Sequence, residues 1–144
     1  MCAEFVNPGL DEIKALLERS ATIAVVGLSP KPARPSHHVA EEMQNFGYRI
    51  IPVRPAVNEV LGEKAYADLR AVPQRFDIVD VFRAPQYVDP IVDACIELQV
   101  PALWLQDGVV NEAAALRAQQ AGIFVVMDRC IYRDYRDLID QGKG

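Results

Sequence analysis

Metal-binding and disulfide residues are scarce in this chain. Its 144 residues include three cysteines and two histidines. Cys2, Cys95 and Cys130 are odd in number and far apart, which excludes a disulfide framework and a metal-ligand spacing. His37 and His38 stand side by side and make no recognisable ligand set, so no metal is expected. No apolar run approaches the roughly 20 residues that span a bilayer. Residues 1–10 lack a basic segment followed by an apolar one, so no signal peptide is expected. Positive charge is also in short supply. Fifteen Lys+Arg against 20 Asp+Glu leave a net charge of −5 and a pI near 5.0. That balance argues against a general nucleic-acid binder and against an anionic-membrane binder. Unpaired thiols and no export signal point to a reducing cytoplasm.

What remains has ordinary globular proportions: 51% hydrophobic and 24% charged residues. The length suits a single domain over 1–144 with one core. Leu10, Ile13, Leu16 and Leu17 trace a short amphipathic helix that follows Pro8 and runs to about Arg19. Thr22 to Val26 (TIAVV) is a β-branched run ending at Gly27, the pattern of a strand buried on both faces. A Pro-rich loop from Leu28 to Pro35 leads to Ser36, which the pattern makes the N-cap of a helix. Val39, Ala40, Met43 and Phe46 give that helix its apolar face, and Gly47 stops it.

The alternation repeats. Arg49 to Val53, Phe76 to Phe82, Ala102 to Gln106 and Ile123 to Met127 read as strands. Helices are expected from near Pro90 to Leu98, from an Asn111 cap through Gln120, and from about Ile131 to Ile139. Pro52 has no N–H to donate, so its place near a strand end matters. Strands alternating with helices of about ten residues imply βαβ units. The expected fold is a three-layer, Rossmann-like α/β structure with a five-stranded parallel sheet in the order 3-2-1-4-5. Ligands of such sheets bind beyond the carboxyl ends of the strands, where the winding direction switches.

Those ends carry cations. Ser29, Lys31, Arg34 and Ser36 follow the first strand, Arg54 the second, Arg83 the third and Arg129 the fifth. With the amide pole of the helix at Ser36, they are the ingredients of an anion pocket for two or more phosphates. The first loop is not a dinucleotide fingerprint, because Gly27 is followed by Leu28, Ser29 and Pro30 rather than further glycines. Arg54 stands where an NAD-binding protein would hold ribose hydroxyls with an acid. An arginine there suits an extra ribose phosphate, as in NADP or the 3′-phosphorylated adenosine of coenzyme A.

The runs GLSPKPARPSHHVAEEM, GYRIIPVRPAVNEVLGEKAYADL, DIVDVFRAP, LWLQDGVVNEAAA and AGIFVVMDRC together resemble the stand-alone bacterial CoA-binding domain proteins. Those proteins are similar to the N-terminal domain of the succinyl-CoA synthetase alpha subunit. The resemblance extends from about Leu10 to Leu138 and implies a coenzyme A site at the switch point. By position, Gly27, Ser29, Lys31, Arg34 and Ser36 would hold the diphosphate. Val53, Arg54 and Pro55 would flank the adenosine. Phe82 and Arg83 would line the nucleotide wall, and Gln106 and Gly108 would close the pocket toward the pantetheine. Two residues depart from the family pattern: Arg54 replaces an Asn, and Asp107 replaces an apolar residue. Arg54 would strengthen a phosphate contact and Asp107 would repel one.

No nucleophile–base–orienter set is legible, so no catalytic residue is expected. The synthetase subunit carries a further domain with a phosphorylated histidine, and ligase chemistry is not expected of these residues alone. The partner expected is CoA or an acyl-CoA, bound without catalysis. The alternatives are an NADP-dependent or Cys130-based redox enzyme, or an interaction module that has lost its ligand. Cys130 reads as a structural, buried cysteine; the redox alternative has it exchange disulfides with the CoA thiol. Asp128 and Arg129 are expected to pair locally or brace the last turn, Trp104 to be core, and Asp77 and Asp80 to flank a buried strand without forming a catalytic pair.

Overall fold

A computed structural model describes residues 4–140, so Cys2 lies outside the described residues. The elements follow the expected alternation. In chain order they are α1 (Leu10–Arg19), β1 (Thr22–Val26), α2 (Pro35–Asn45), β2 (Arg49–Val53), β3 (Glu59–Val60), β4 (Glu63–Lys64), β5 (Ile78–Val81), α3 (Val88–Leu98), β6 (Ala102–Leu105), α4 (Glu112–Gln120), β7 (Phe124–Met127) and α5 (Ile131–Leu138).

Five strands form a parallel sheet in the order β2-β1-β5-β6-β7. Alternate residues of each strand face opposite layers. Val26, Val79, Leu103 and Val125 pack with α3 and α4 on one face. Ile23, Ile78, Trp104 and Val126 pack with α1, α2 and α5 on the other. The three-layer Rossmann-like class therefore stands, and Trp104 is core as expected.

One detail of the order differs from 3-2-1-4-5. The third long strand, β5, lies beside β1 rather than beyond β2, which leaves β2 at the edge. Pro52 gives the physical reason. Residues 49 and 53 bond inward to β1, through Arg49 N–H to the Ala21 carbonyl and Gly27 N–H to the Val53 carbonyl. Pro52 faces outward, where its carbonyl accepts from Tyr66 N–H and its missing N–H costs no ladder bond. Between β2 and β5 the chain forms no α-helix. It makes the small β3–β4 hairpin, turning at Leu61 and Gly62 (φ 55° and 76°), and a 3-10 turn at Leu69–Ala71. The chain then changes sheet face, with α2 on one side and α3 on the other. The winding switch therefore falls between β1 and β5.

Candidate functional site

At the switch the backbones approach too closely for a side chain at position 27. A Cβ there would lie 2.5 Å from the Phe82 carbonyl oxygen and 3.2 Å from Arg83 Cδ, and φ is +86°. Glycine alone meets both demands. Phe82 N–H also donates to the Val26 carbonyl at 2.9 Å, so the ends of β1, β2 and β5 are tied together around Gly27.

Two buried serines shape the loop that follows. Ser36 Oγ accepts from Ser29 N–H at 3.0 Å, and Ser29 Oγ accepts from Lys31 N–H at 3.1 Å. This corrects the expected cap. Arg34 is the N-cap of α2, Pro35 is its first residue, and the Ser36 hydroxyl braces the loop instead of the helix end. Pro35 has no N–H, and Ser36 N–H has no backbone partner among the described residues. Both residues line the cleft above, so α2 presents the positive end of its dipole there.

That cleft has a volume of about 820 Å³. Lys31, Arg34, Arg54 and Arg83 all line it, as do Gly27, Ser29, Ser36, Phe82, Gln106 and Gly108. Val53 and Pro55 instead line an adjoining cavity of about 290 Å³ with Leu69, Tyr87 and Ile91; Gly27 and Arg83 border both spaces. The Arg83 guanidinium lies 4.4 Å from the centre of the Tyr87 ring.

Among the described residues, none of Lys31, Arg34, Arg54 and Arg83 has an ion-pair partner. Arg70, Arg117, Arg129, Arg133 and Arg136 each do. Arg129 thus departs from the expected set of strand-end cations. Its guanidinium holds the buried Asp134 through bonds of 2.7 and 2.8 Å, and it does not line the cleft. Asp128 does not pair with Arg129 either; it accepts from Gly108 N–H at 2.8 Å.

The far side of the cleft is polar in a different way. Gln106 is buried, and its Oε1 accepts from Ile131 N–H at 3.0 Å, pinning the start of α5. Asp107 accepts two bonds of 2.9 Å from Arg133, which hold its carboxyl below the usual range. Cys130 is half-buried and lines the cleft, contrary to the expected buried cysteine. The buried thiol is Cys95, pushed up to about 12 by desolvation. His37 is buried and His38 packs edge-on to Tyr132, and neither lines the cleft. Asp77 receives the N–H groups of Ala21 and Thr22 at the foot of the sheet.

Asp80, expected to flank a buried strand, lies inside one. It sits mid-strand between Val25 and Trp104, 1% exposed, with Oδ1 unpartnered. Burial raises its pKa well above the ordinary carboxyl value. The available signal was one acid inside the apolar run IVDV.

Comparisons with known proteins show the family and the fold. The family model of the CoA binding domain matches residues 21–136, and the chain belongs to that family. The chain is 45% identical over 125 residues to YneT, an uncharacterised protein of Bacillus subtilis (strain 168), covering 87% of this chain and 93% of that one. A solved structure of a hypothetical protein from Pyrococcus horikoshii OT3 superposes with a TM-score of 0.89 at 31% identity, covering 96% of this chain and 99% of that one. Over 73 residues the chain is 25% identical to the ADP-forming acetate–CoA ligase I of Archaeoglobus fulgidus; the match takes in 51% of this chain and 11% of the ligase.

Proposed function

We propose that this protein binds coenzyme A or an acyl-CoA in the cleft at the β1/β5 switch, as a cytoplasmic single-domain carrier, sensor or enzyme partner without catalysis of its own. One observation carries the reading: four cations without ion-pair partners and the free end of α2 converge on one cleft of an acidic protein. The donor set fits the ligand's chemistry. Lys31, Arg34 and the Ser36 N–H at the start of α2 offer charge-assisted bonds to a diphosphate, with Gly27, Ser29 and Ser36 shaping the loop that holds it. Arg54 offers a further cation for a ribose phosphate. Val53 and Pro55, in the adjoining apolar cavity, flank the adenosine, and the Phe82–Arg83 segment forms the wall between. Gln106 and Gly108 border the path of the pantetheine arm. The family membership supports the same ligand.

Isothermal calorimetry with CoA, dephospho-CoA and NADP tests this. Binding of CoA that weakens for dephospho-CoA supports the reading. Tighter binding of NADP would favour a redox enzyme, and silence with all three a module without ligand.

A further inference from the structure

The cleft is polarised along the sheet. Its cations stand at the ends of β2 and β5 and in the loop after β1. Past them, at the end of β6, the next charged side chain in the lining is Asp107. Neighbouring strands are about 4.8 Å apart, so Asp107 is displaced from the Arg54 end by three spacings, roughly 14 Å. Both carboxylate oxygens of Asp107 accept from Arg133, at 2.9 Å each. Arg133 projects from α5 and does not line the cleft. The pair therefore turns its negative member inward and its positive member away.

We infer that Asp107 sets the acyl specificity of this site, admitting neutral acyl thioesters of CoA and disfavouring those that end in a carboxylate. The inference rests on the CoA reading of the cleft. With the phosphates held at the cation end, the arm of the ligand runs the way the cleft continues, past Gln106 toward Cys130. A terminal carboxylate carried there meets a fixed carboxylate. Arg133 cannot replace the lost hydration, because both its terminal nitrogens are already occupied by Asp107. A neutral acyl group meets no such repulsion. The opposite arrangement, with Arg133 inward, would select acidic acyl groups.

The test is the ratio of dissociation constants for succinyl-CoA and acetyl-CoA, measured by calorimetry on the wild-type protein, Asp107→Asn and Arg133→Gln. Both ligands carry the same phosphates, so changes in general affinity or folded fraction cancel in the ratio. The wild type should bind succinyl-CoA about three- to tenfold more weakly. Asp107→Asn should bring the ratio near one. Arg133→Gln should raise it above the wild-type value, because it strips the carboxylate of its counter-charge. Salt at about 1 M should shrink the wild-type ratio. A wild-type ratio near one, or two variants that move it in the same direction, overturns the inference while leaving CoA binding intact. A wild-type protein that binds neither CoA nor either thioester overturns the CoA reading and this inference with it.

Discussion

The arginines of the helical layer and those of the cleft behave oppositely. On the α3–α4 side, Arg117 holds Asp89 at 3.1 Å and Asp93 at 2.6 Å, and Arg70 holds Glu97 at 2.7 Å. These pairs join neighbouring segments at the surface. Around the cleft, Lys31, Arg34, Arg54 and Arg83 have no ion-pair partner among the described residues, although acids outnumber bases 20 to 15 in the chain. Lys14, Arg19, Arg49, Lys64 and Arg75 also lack an ion-pair partner among the described residues, so the cleft is marked by the convergence of four unpaired cations on one space. A protein that left these cations unpaired by chance would gain nothing from their convergence, whereas a phosphate ligand completes them.

That contrast can be broken most sharply at Arg129. It stands at a strand end like the cleft cations but belongs with the paired group. Arg129→Ala leaves the buried Asp134 carboxylate without its partner, so denaturant unfolding should show a loss of about 2–4 kcal/mol. CoA affinity, measured under folding conditions, should stay near the wild-type value. Equal damage to binding would place Arg129 in the cleft set after all.

Arg54→Ala should do the reverse. Loss of a charge-assisted contact should weaken CoA binding by about 1–3 kcal/mol, with the unfolding midpoint nearly unmoved. Lys31→Ala should follow the same pattern. Unchanged affinity in both variants would dissolve the distinction between the two groups.

Asp80 extends the comparison to an unpartnered acid. Its raised pKa means that the folded state holds the proton more tightly than the unfolded chain. Its contribution to stability is complete below the unfolded carboxyl value, about pH 4, and is lost progressively as pH rises above it. Asp80→Asn removes that slope, so the variant should gain on the wild type from acid to neutral pH and exceed it by about 1–3 kcal/mol near neutrality. Parallel stability curves would mean that the carboxyl has a partner.

The smallest effect belongs to Arg117→Ala. Exposed pairs contribute little, so stability should fall by no more than about 1 kcal/mol and ligand affinity should not respond.

Much of this was readable from the chain. Apolar runs, β-branched in every strand but Ala102–Leu105, announced all five long strands, and the cap at Asn111 is present, with its Oδ1 accepting from Ala114 N–H at 3.1 Å. Most of the cleft's lining followed from asking what stands at strand ends. The misreadings share a cause. Strand order depends on the segment between β2 and β5, which holds a hairpin of two-residue strands and no α-helix, too little periodicity to detect. Pro52 carried the answer, since a residue without an N–H belongs on an edge. Ser36 looked like a cap because cap residues are read locally, whereas its hydroxyl is claimed by Ser29 across the loop. Arg129 pairs locally but stays out of the cleft, and Cys130 lines it, because lining and exposure depend on how α5 docks over the sheet, which no window of sequence records.

The central claim is that unpaired cleft cations grip a phosphate-bearing ligand. Titrating CoA into the wild type and into a Lys31→Ala/Arg54→Ala double variant, at about 0.05 M and about 0.5 M salt, tests it most directly. The account predicts wild-type affinity that falls steeply with salt, and a weaker double variant with a shallower dependence. Affinity indifferent to salt, or identical in the two proteins, would contradict it.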